Sequence, residues 1–263
     1  MNGDLFEDGG DKVSREQWLR RVFDEEQLFI NRGSEFHYVP AMPNSKTGPL
    51  IGRIGRKILR EENRPPSEGL DDMTHEAWMA AVLVLDPNHH DDGQKLALQI
   101  TRDVGSSLTL TTKLVSAINE RYPYGPYSIQ VAQITEERSF WTFIEENKGK
   151  VTSITLDFIA PNMFGSDDEF SNEMREFRDN EEARKVTLSL QNESGLEPDT
   201  PRIRRAVRYA SQGGGKIRAR AKSDKRYNSA DSVKRSYLKD VKEAGTELIR
   251  VAGQFANKIL GRE

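Results

Sequence analysis

The chain has 263 residues, no cysteine and a formal net charge of −3. This length is sufficient to bury one or two cores, and the lack of cysteine excludes disulfide frameworks, thiolate zinc sites and cysteine nucleophiles. The N-terminus is acidic where a signal peptide is basic, and the longest apolar run, residues 78–85, is far below the ~20 residues that cross a bilayer. We therefore expect a cytoplasmic protein with no membrane partner.

Charge is distributed unevenly along the chain. Residues 201–263 carry 17 Lys and Arg against 6 Asp and Glu, a net charge of +11, so residues 1–200 carry −14. A basic end of this kind is typical of a protein that contacts a polyanion, although the acidic part of the same chain can also cover it.

The N-terminal part of the chain predicts a flexible tail at 1–13 and then an α+β region at 14–125. Residues 14–17, Ser-Arg-Glu-Gln, have the pattern of a capping box at the start of a helix. Apolar spacing predicts strands at 35–40 and 78–85, and helices at 56–62, 94–104 and 106–120.

The C-terminal region, 126–263, predicts alternating strands and helices. The strands are expected at 127–134, 151–159, 186–190 and 216–222, and the helices at 139–146, 167–185 and 201–211, with a long final helix at 229–260. Polar residues alternate with apolar ones in the strands, which favours a mixed or antiparallel sheet with helices mainly on one face over a three-layer α/β plan. We predict an α+β fold.

Several segments carry a resemblance to known sequences. These are FWTFIEEN at 140–147, VTSITLDFIAPNMFG at 151–165, VTLSLQNESG at 186–195 and VRYASQGGGKIRARAK at 207–222. Together they resemble a group of uncharacterised bacterial proteins associated with mobile elements and phage-defence neighbourhoods. The resemblance covers residues 136–230 and is most distinctive at FIAPNMFG and YASQGGG. It implies a setting in antiviral defence, and no activity that carries over to particular residues.

The predicted strand at 216–222 alternates basic with apolar residues. Its basic residues fall on one face at intervals of ~7 Å, a spacing close to that of phosphates along a nucleic-acid strand. Flanking cations extend the basic surface, and a neighbouring tyrosine is suited to stack on a base. The candidate nucleic-acid-binding residues are Lys216, Arg218, Arg220, Lys222, Lys225, Arg226 and Tyr227. The alternative is a solvated face that pairs with the acidic helix at 167–182.

Two glycine-containing segments invite comparison with phosphate-binding loops. Residues 51–58, IGRIGRKI, match the GxxG loop of KH domains, which adds Arg53, Arg56 and Lys57 to the candidate backbone contacts. Prolines precede this segment where a KH helix is required, so a plain basic or glycine-rich connection stays open. The GGGK sequence at 213–216 lacks the other P-loop residues and predicts a helix end followed by a tight turn.

No catalytic pattern is complete, and the catalytic residues stay unassigned. Carboxylates suited to hold Mg²⁺ for phosphodiester cleavage are Asp157, Asp167, Asp168, Glu169 and Glu182. His89 and His90 have no third ligand at a suitable spacing, so we expect no metal and no cofactor.

We expect a non-catalytic accessory or sensor component of a bacterial defence system that binds the backbone of DNA or RNA. One alternative is a metal-dependent nuclease effector. The other is a module that binds a protein partner, or a second copy in an oligomer, through the helix at 229–260.

Overall fold

The computed structural model describes residues 13–41, 47–90, 93–159, 169–238 and 247–262. In chain order the helices and strands are α1 (Arg15–Phe23), β1 (Gln27–Asn31), β2 (Ser34–Pro40), β3 (Leu50–Asn63), β4 (Asp72–Asp86), β5 (Lys95–Leu98), α2 (Ser107–Arg121), α3 (Glu137–Glu146), β6 (Val151–Ile159), α4 (Glu169–Glu181), β7 (Lys185–Gln191), α5 (Pro201–Tyr209), β8 (Gly215–Ala221), β9 (Arg226–Asn228), α6 (Glu247–Gln254) and α7 (Ala256–Leu260). No helix among the described residues combines the length and the apolar character that a membrane span requires.

The chain forms two compact units, each with its own antiparallel sheet. The first unit contains Met1–Asn88, Gln94–Gln130 and Leu238–Glu263, and the second contains His89–Gly93 and Val131–Tyr237. The first sheet has the strand order β1-β2-β3-β4-β5 and the second β7-β6-β8-β9. The predicted α+β fold is therefore confirmed.

The first unit begins with the predicted capping box. The Ser14 hydroxyl accepts a hydrogen bond from the backbone N–H of Gln17 at 3.1 Å, and the Gln17 side chain accepts one from the N–H of Ser14 at 2.8 Å. The capped helix, α1, and helix α2 then bury their apolar residues in the same core as one face of the sheet. The predicted tail at 1–13 lies outside the described residues except for Val13.

Four local predictions are wrong. Residues 51–58 lie inside β3, so neither a KH-type loop nor the predicted helix at 56–62 forms. The packing explains why, because a Cβ atom at Gly52 would overlap the ring of Tyr38, and the glycine lets β3 pass close to that ring. Part of the predicted helix at 94–104 is instead strand β5, and the predicted strand at 127–134 forms no ladder with any described residue.

The predicted long C-terminal helix is not seen. Residues 229–231 form a 3₁₀ turn, Val233 forms an isolated bridge with Thr135, and residues 239–246 lie outside the described part of the chain. Among the described residues of this segment, the α-helical ones lie in α6 and α7, which belong to the first unit. Ala252, Ala256 and Leu260 cover Val82 and Val84 on the sheet face opposite α1 and α2.

In the part of the second unit that the structure describes, the helices that pack on the sheet lie on one face, as the strand pattern predicts. Along β6 and β8, buried apolar residues alternate with polar residues. The apolar residues pack against α3, α4 and α5. The opposite face of this sheet carries the polar residues of all four strands. We call it the open face.

Candidate nucleic-acid interface

The ladder pairings arrange the open face as three rows that run across the strands. Residues directly opposite each other in an antiparallel ladder share a face and lie side by side. From β7 to β9 the rows are Thr187, Asp157 and Lys216; then Ser189, Thr155, Arg218 and Asn228; then Gln191, Ser153, Arg220 and Arg226. The open face therefore presents hydroxyls and amides on the β7 side and guanidinium and ammonium groups on the β8 side.

The basic row of β8 is solvent-exposed, as predicted. Lys216, Arg218 and Arg220 are exposed, while Ile217 and Ala219 between them are buried. Among the described residues neither Lys216 nor Arg220 forms an ion pair, whereas Arg226, beside Arg220, pairs with Asp224 at 2.8 Å. Two of the strand's cations are thus available to an anion from outside the unit.

Asp157 is the one carboxylate among the described residues of the three rows, and it is surrounded by donors. Its Oδ1 accepts a hydrogen bond from the Thr187 hydroxyl at 2.8 Å and lies 3.2 Å from the Lys185 ammonium, while its Oδ2 lies 2.6 Å from an Arg218 nitrogen. Burial raises the pKa of this carboxyl, but the hydrogen bonds from Thr187 and Lys185 and the charges of Lys185 and Arg218 outweigh burial and lower the pKa overall. The side chain is therefore ionised at neutral pH and neutralises part of the basic surface.

A glycine turn fixes the position of β8. Gly213 adopts a left-handed φ of 102°, which ends the helical segment that follows α5. A Cβ atom at Gly214 would overlap the ring of Tyr209, and one at Gly215 would overlap the backbone oxygen of Asp157. The GGGK sequence thus forms the predicted helix end and tight turn, and it sets the first basic residue of β8 opposite Asp157.

The structure separates Tyr227 from the basic row. Its ring lies on the helix-covered side of β9, with centroids 5.6 Å from Phe140 and 5.7 Å from Phe143, and its hydroxyl is 3.1 Å from that of Ser139. This placement corrects the prediction that Tyr227 stacks on a base. Lys222 and Lys225 are exposed in the turn between β8 and β9, beyond the end of the basic row.

The three cations taken from the GxxG match belong to the first unit and are engaged there. The Arg56 side chain donates to the backbone oxygen of Asp103 at 2.8 Å and lies over the Phe36 ring. Lys57 pairs with Glu76 on the neighbouring strand, and Arg53 lies opposite Val82 in the ladder. Because this segment is a strand, the predicted phosphate-clamping loop is absent from the described structure.

The carboxylates considered for a nuclease are not brought together among the described residues. Asp157 is held by cations, Glu182 is exposed after α4, and Asp167 and Asp168 lie outside the described residues, as does the side chain of Glu169. In the described part of the chain no group of three His, Asp or Glu side chains is arranged to hold a metal ion.

The acidic helix considered as a cover for the basic strand lies elsewhere. Phe170 and Met174 of α4 are buried in the core on the helix-covered side, and Glu173 pairs with Arg202 of α5 at 3.0 Å. Helix α4 therefore does not neutralise the open face.

The polar residues of β6 and β7 and the cation Lys185 were not predicted from the sequence as part of this surface. Their period-two spacing is visible in the sequence, but nothing local shows that these strands flank β8 on the same face. Arg220 also borders a shallow depression at the end of the open face, lined in addition by Thr152, Ser153, Gln191, Asn192 and Glu193.

Comparisons of the chain with family models, curated proteins and solved structures found no match.

Proposed function

We propose that the open face of the second unit binds the phosphate backbone of a nucleic acid with little preference for sequence. The observation that carries this proposal is the exposed row of Lys216, Arg218 and Arg220, with Lys185 and Arg226 on the flanking strands. Asp157 is the one carboxylate within the described rows, and Asp224, in the turn beside them, pairs with Arg226.

The chemistry of the face supports contacts to phosphates and not to bases. Single-stranded nucleic acids bind proteins through aromatic platforms as well as charge, and the described residues of the open face include no aromatic side chain. Serine, threonine, asparagine and glutamine side chains beside the cations donate hydrogen bonds to phosphate oxygens. We infer that the binding energy is mainly electrostatic and that DNA and RNA of any sequence compete for the face.

We further propose that the protein is an accessory or sensor component of a bacterial defence system. The support for this setting is the resemblance carried by residues 136–230, which includes β6, β7 and β8. Binding without sequence preference suits a component that detects foreign nucleic acid.

The first prediction concerns the two cations of β8 that form no ion pair among the described residues. Binding a phosphate releases condensed counterions, and each contact contributes about −0.7 to −0.9 to the slope of log affinity against log salt. Replacing Lys216 and Arg220 by Gln removes two such contacts and leaves the apolar face of the strand unchanged. We expect the slope to flatten by about 1.4 to 1.8 units for DNA and RNA oligonucleotides of any sequence, as measured by fluorescence anisotropy from low to moderate salt.

A matched control removes the same charge from the helix-covered side of the unit. Arg202 and Arg208 are exposed on α5, so replacing both by Gln changes the net charge equally without touching the open face. The control should keep the wild-type salt slope and more than half of the wild-type affinity at low salt, in contrast to the β8 variant. The proposal fails if both variants weaken binding equally, or if the wild-type protein binds neither DNA nor RNA at low salt.

A further inference from the structure

The hairpin formed by β3 and β4 extends beyond the rest of the first sheet. Within the described residues, strand β2 pairs with β3 over residues 52–55 and β5 pairs with β4 over residues 83–86. The pairs from Arg56–Met79 to Asn63–Asp72 therefore form a two-stranded ribbon about 25 Å long. We call residues 56–63 and 72–79 the ribbon. A two-stranded hairpin alone is at best marginally stable in water, so this element benefits from packing against something else.

The ribbon carries exposed apolar side chains that continue across the sheet. The register places Leu59 and Trp78 on the same face as Leu28, Ile30 and Val39, which is also the face that α6 and α7 cover at its other end. Leu59 is 73% exposed and Trp78 is 61% exposed. His37, Lys57 and Glu76 lie among them on this face, and large apolar side chains gathered in water on one face mark an interaction surface. We call these five apolar residues the apolar face.

Charge along the ribbon changes sign from its base to its tip. On the face that carries Leu59 and Trp78, the base (residues 53–60 and 76–80) presents Arg53, Lys57 and Glu76, a net charge of +1. The paired residues of the tip (residues 61–75) present Glu61 and Asp72 on the same face, a net charge of −2. The acidic tip opposes binding of a nucleic acid along the ribbon, because phosphates and carboxylates repel each other.

This gradient fits a second copy of the same chain. When two identical ribbons lie antiparallel across a twofold axis, the basic base of each faces the acidic tip of the other. Leu59 and Trp78 lie within the base, close to its boundary with the tip, so the same arrangement brings the apolar faces of the two copies into contact. Complementary charge and apolar burial thus select one geometry.

We propose that the protein forms a twofold dimer in which the ribbons pack antiparallel through the apolar face. Trp78 and Leu59 form the centre of the interface, and the charges at base and tip set its direction. This dimer differs from the oligomer considered in the sequence analysis, because α6 and α7 pack on their own sheet instead of pairing with a partner.

The second prediction tests the centre of the interface. Replacing Leu59 and Trp78 together by Ser removes exposed side chains that pack on nothing in the core, so the variant should fold. We expect the wild-type protein to be a dimer by analytical ultracentrifugation and the variant to dissociate with an affinity at least about tenfold weaker. The matched control replaces Ile100 and Tyr124, which are 67% and 99% exposed outside the sheet, by Ser and should dimerise as the wild type does.

A charge exchange tests the direction of the ribbons. One variant reverses the base with Arg53→Glu and Lys57→Glu, and the other reverses the tip with Glu61→Lys and Asp72→Lys, all on the face of Leu59 and Trp78. Each variant alone should be monomeric because base and tip then repel, whereas an equimolar mixture of the two should dimerise. Circular dichroism checks that both variants are folded.

Three outcomes would overturn the proposal. The first is a wild-type protein that stays monomeric at every concentration up to its solubility limit. The second is a dimer that persists in the Leu59 and Trp78 variant, which would place the interface elsewhere. The third is a mixture of the two charge variants that fails to associate. None of these results bears on nucleic-acid binding by the second unit, so the two proposals are tested separately.

Discussion

At the scale of single residues, Asp157 shows how neighbours decide the role of a side chain. A carboxylate on a strand is a common ligand of catalytic Mg²⁺, and this was the basis for considering a nuclease. In the structure the same carboxylate accepts a hydrogen bond from Thr187 and lies within ion-pair distance of Lys185 and Arg218. Its immediate effect is to neutralise cations of the open face.

The third prediction follows from that effect. Replacing Asp157 by Asn removes one negative charge and releases Lys185 and Arg218 to contact phosphate. We expect oligonucleotide affinity to rise about five- to tenfold at 0.1 M salt and the salt slope to steepen by about 1.4 to 1.8 units for the two released cations, as measured by anisotropy. Asp199→Asn is the control, because Asp199 pairs with Arg204 at the start of α5, away from the open face. Weaker binding by the Asp157 variant, or cleavage of DNA or RNA by the wild type that this variant abolishes, would contradict the role assigned here.

At the scale of elements, the turn between α5 and β8 depends on glycine for two different reasons. Gly213 needs a left-handed φ, whereas Gly215 has extended backbone that any residue adopts and is required for space alone. Because Gly215 lies against the backbone of β6, it brings β8 into register beside Asp157. The turn thus places the basic row in its observed position.

The fourth prediction separates the effect of space from that of conformation. Gly215→Ala would push a methyl group into the backbone oxygen of Asp157, so we expect the free energy of unfolding to fall by about 2–3 kcal/mol. Gly149→Ala is the control, because Gly149 has a φ of 67° and open space around it, and the left-handed backbone alone costs about 1 kcal/mol. Urea denaturation of both variants measures the difference. Equal losses in the two variants would contradict the steric argument.

At the scale of the whole molecule, the C-terminus completes the first unit. Helices α6 and α7 pack on β3 and β4. Just after α7, the Arg262 guanidinium forms an ion pair with the Asp86 carboxylate at 2.7 Å. Both side chains are buried, with less than a tenth of their surface exposed. The end of the chain is therefore attached to the strand that continues into the ribbon.

The fifth prediction concerns this attachment. Arg262→Met removes the guanidinium from a buried carboxylate, so we expect the free energy of unfolding to fall by about 3 kcal/mol. Adding Asp86→Asn should recover much of that loss, since the buried charge is then gone as well. Lys258→Met on the exposed side of α7 should change stability by less than about 0.5 kcal/mol. Chemical denaturation measures all three, and a loss for Lys258→Met as large as that for Arg262→Met would contradict the prediction.

Local signals account for the elements that the sequence analysis predicted correctly. The Ser14 capping box, the Thr200 cap before Pro201 and the alternation in β6 and β8 each depend on residues within one or two turns of each other. The wrong predictions depend on distant partners. Residues 56–62 have helical spacing but form a strand because β4 pairs with them along their whole length. The apolar stripe of the final segment was read as one helix, yet its described helical residues are confined to α6 and α7.

The sequence by itself determined that the chain is an α+β protein and that one strand near its end has a basic face, because periodicity and capping are properties of neighbouring residues. Only the tertiary structure decided what surrounds that face. It brought Asp157 to Arg218, 61 positions along the chain, turned Tyr227 into the core and placed α4 on the other side of the sheet. The physical reason is that strand pairing and core packing join residues far apart in sequence, and the contacts that result set the net charge of a surface.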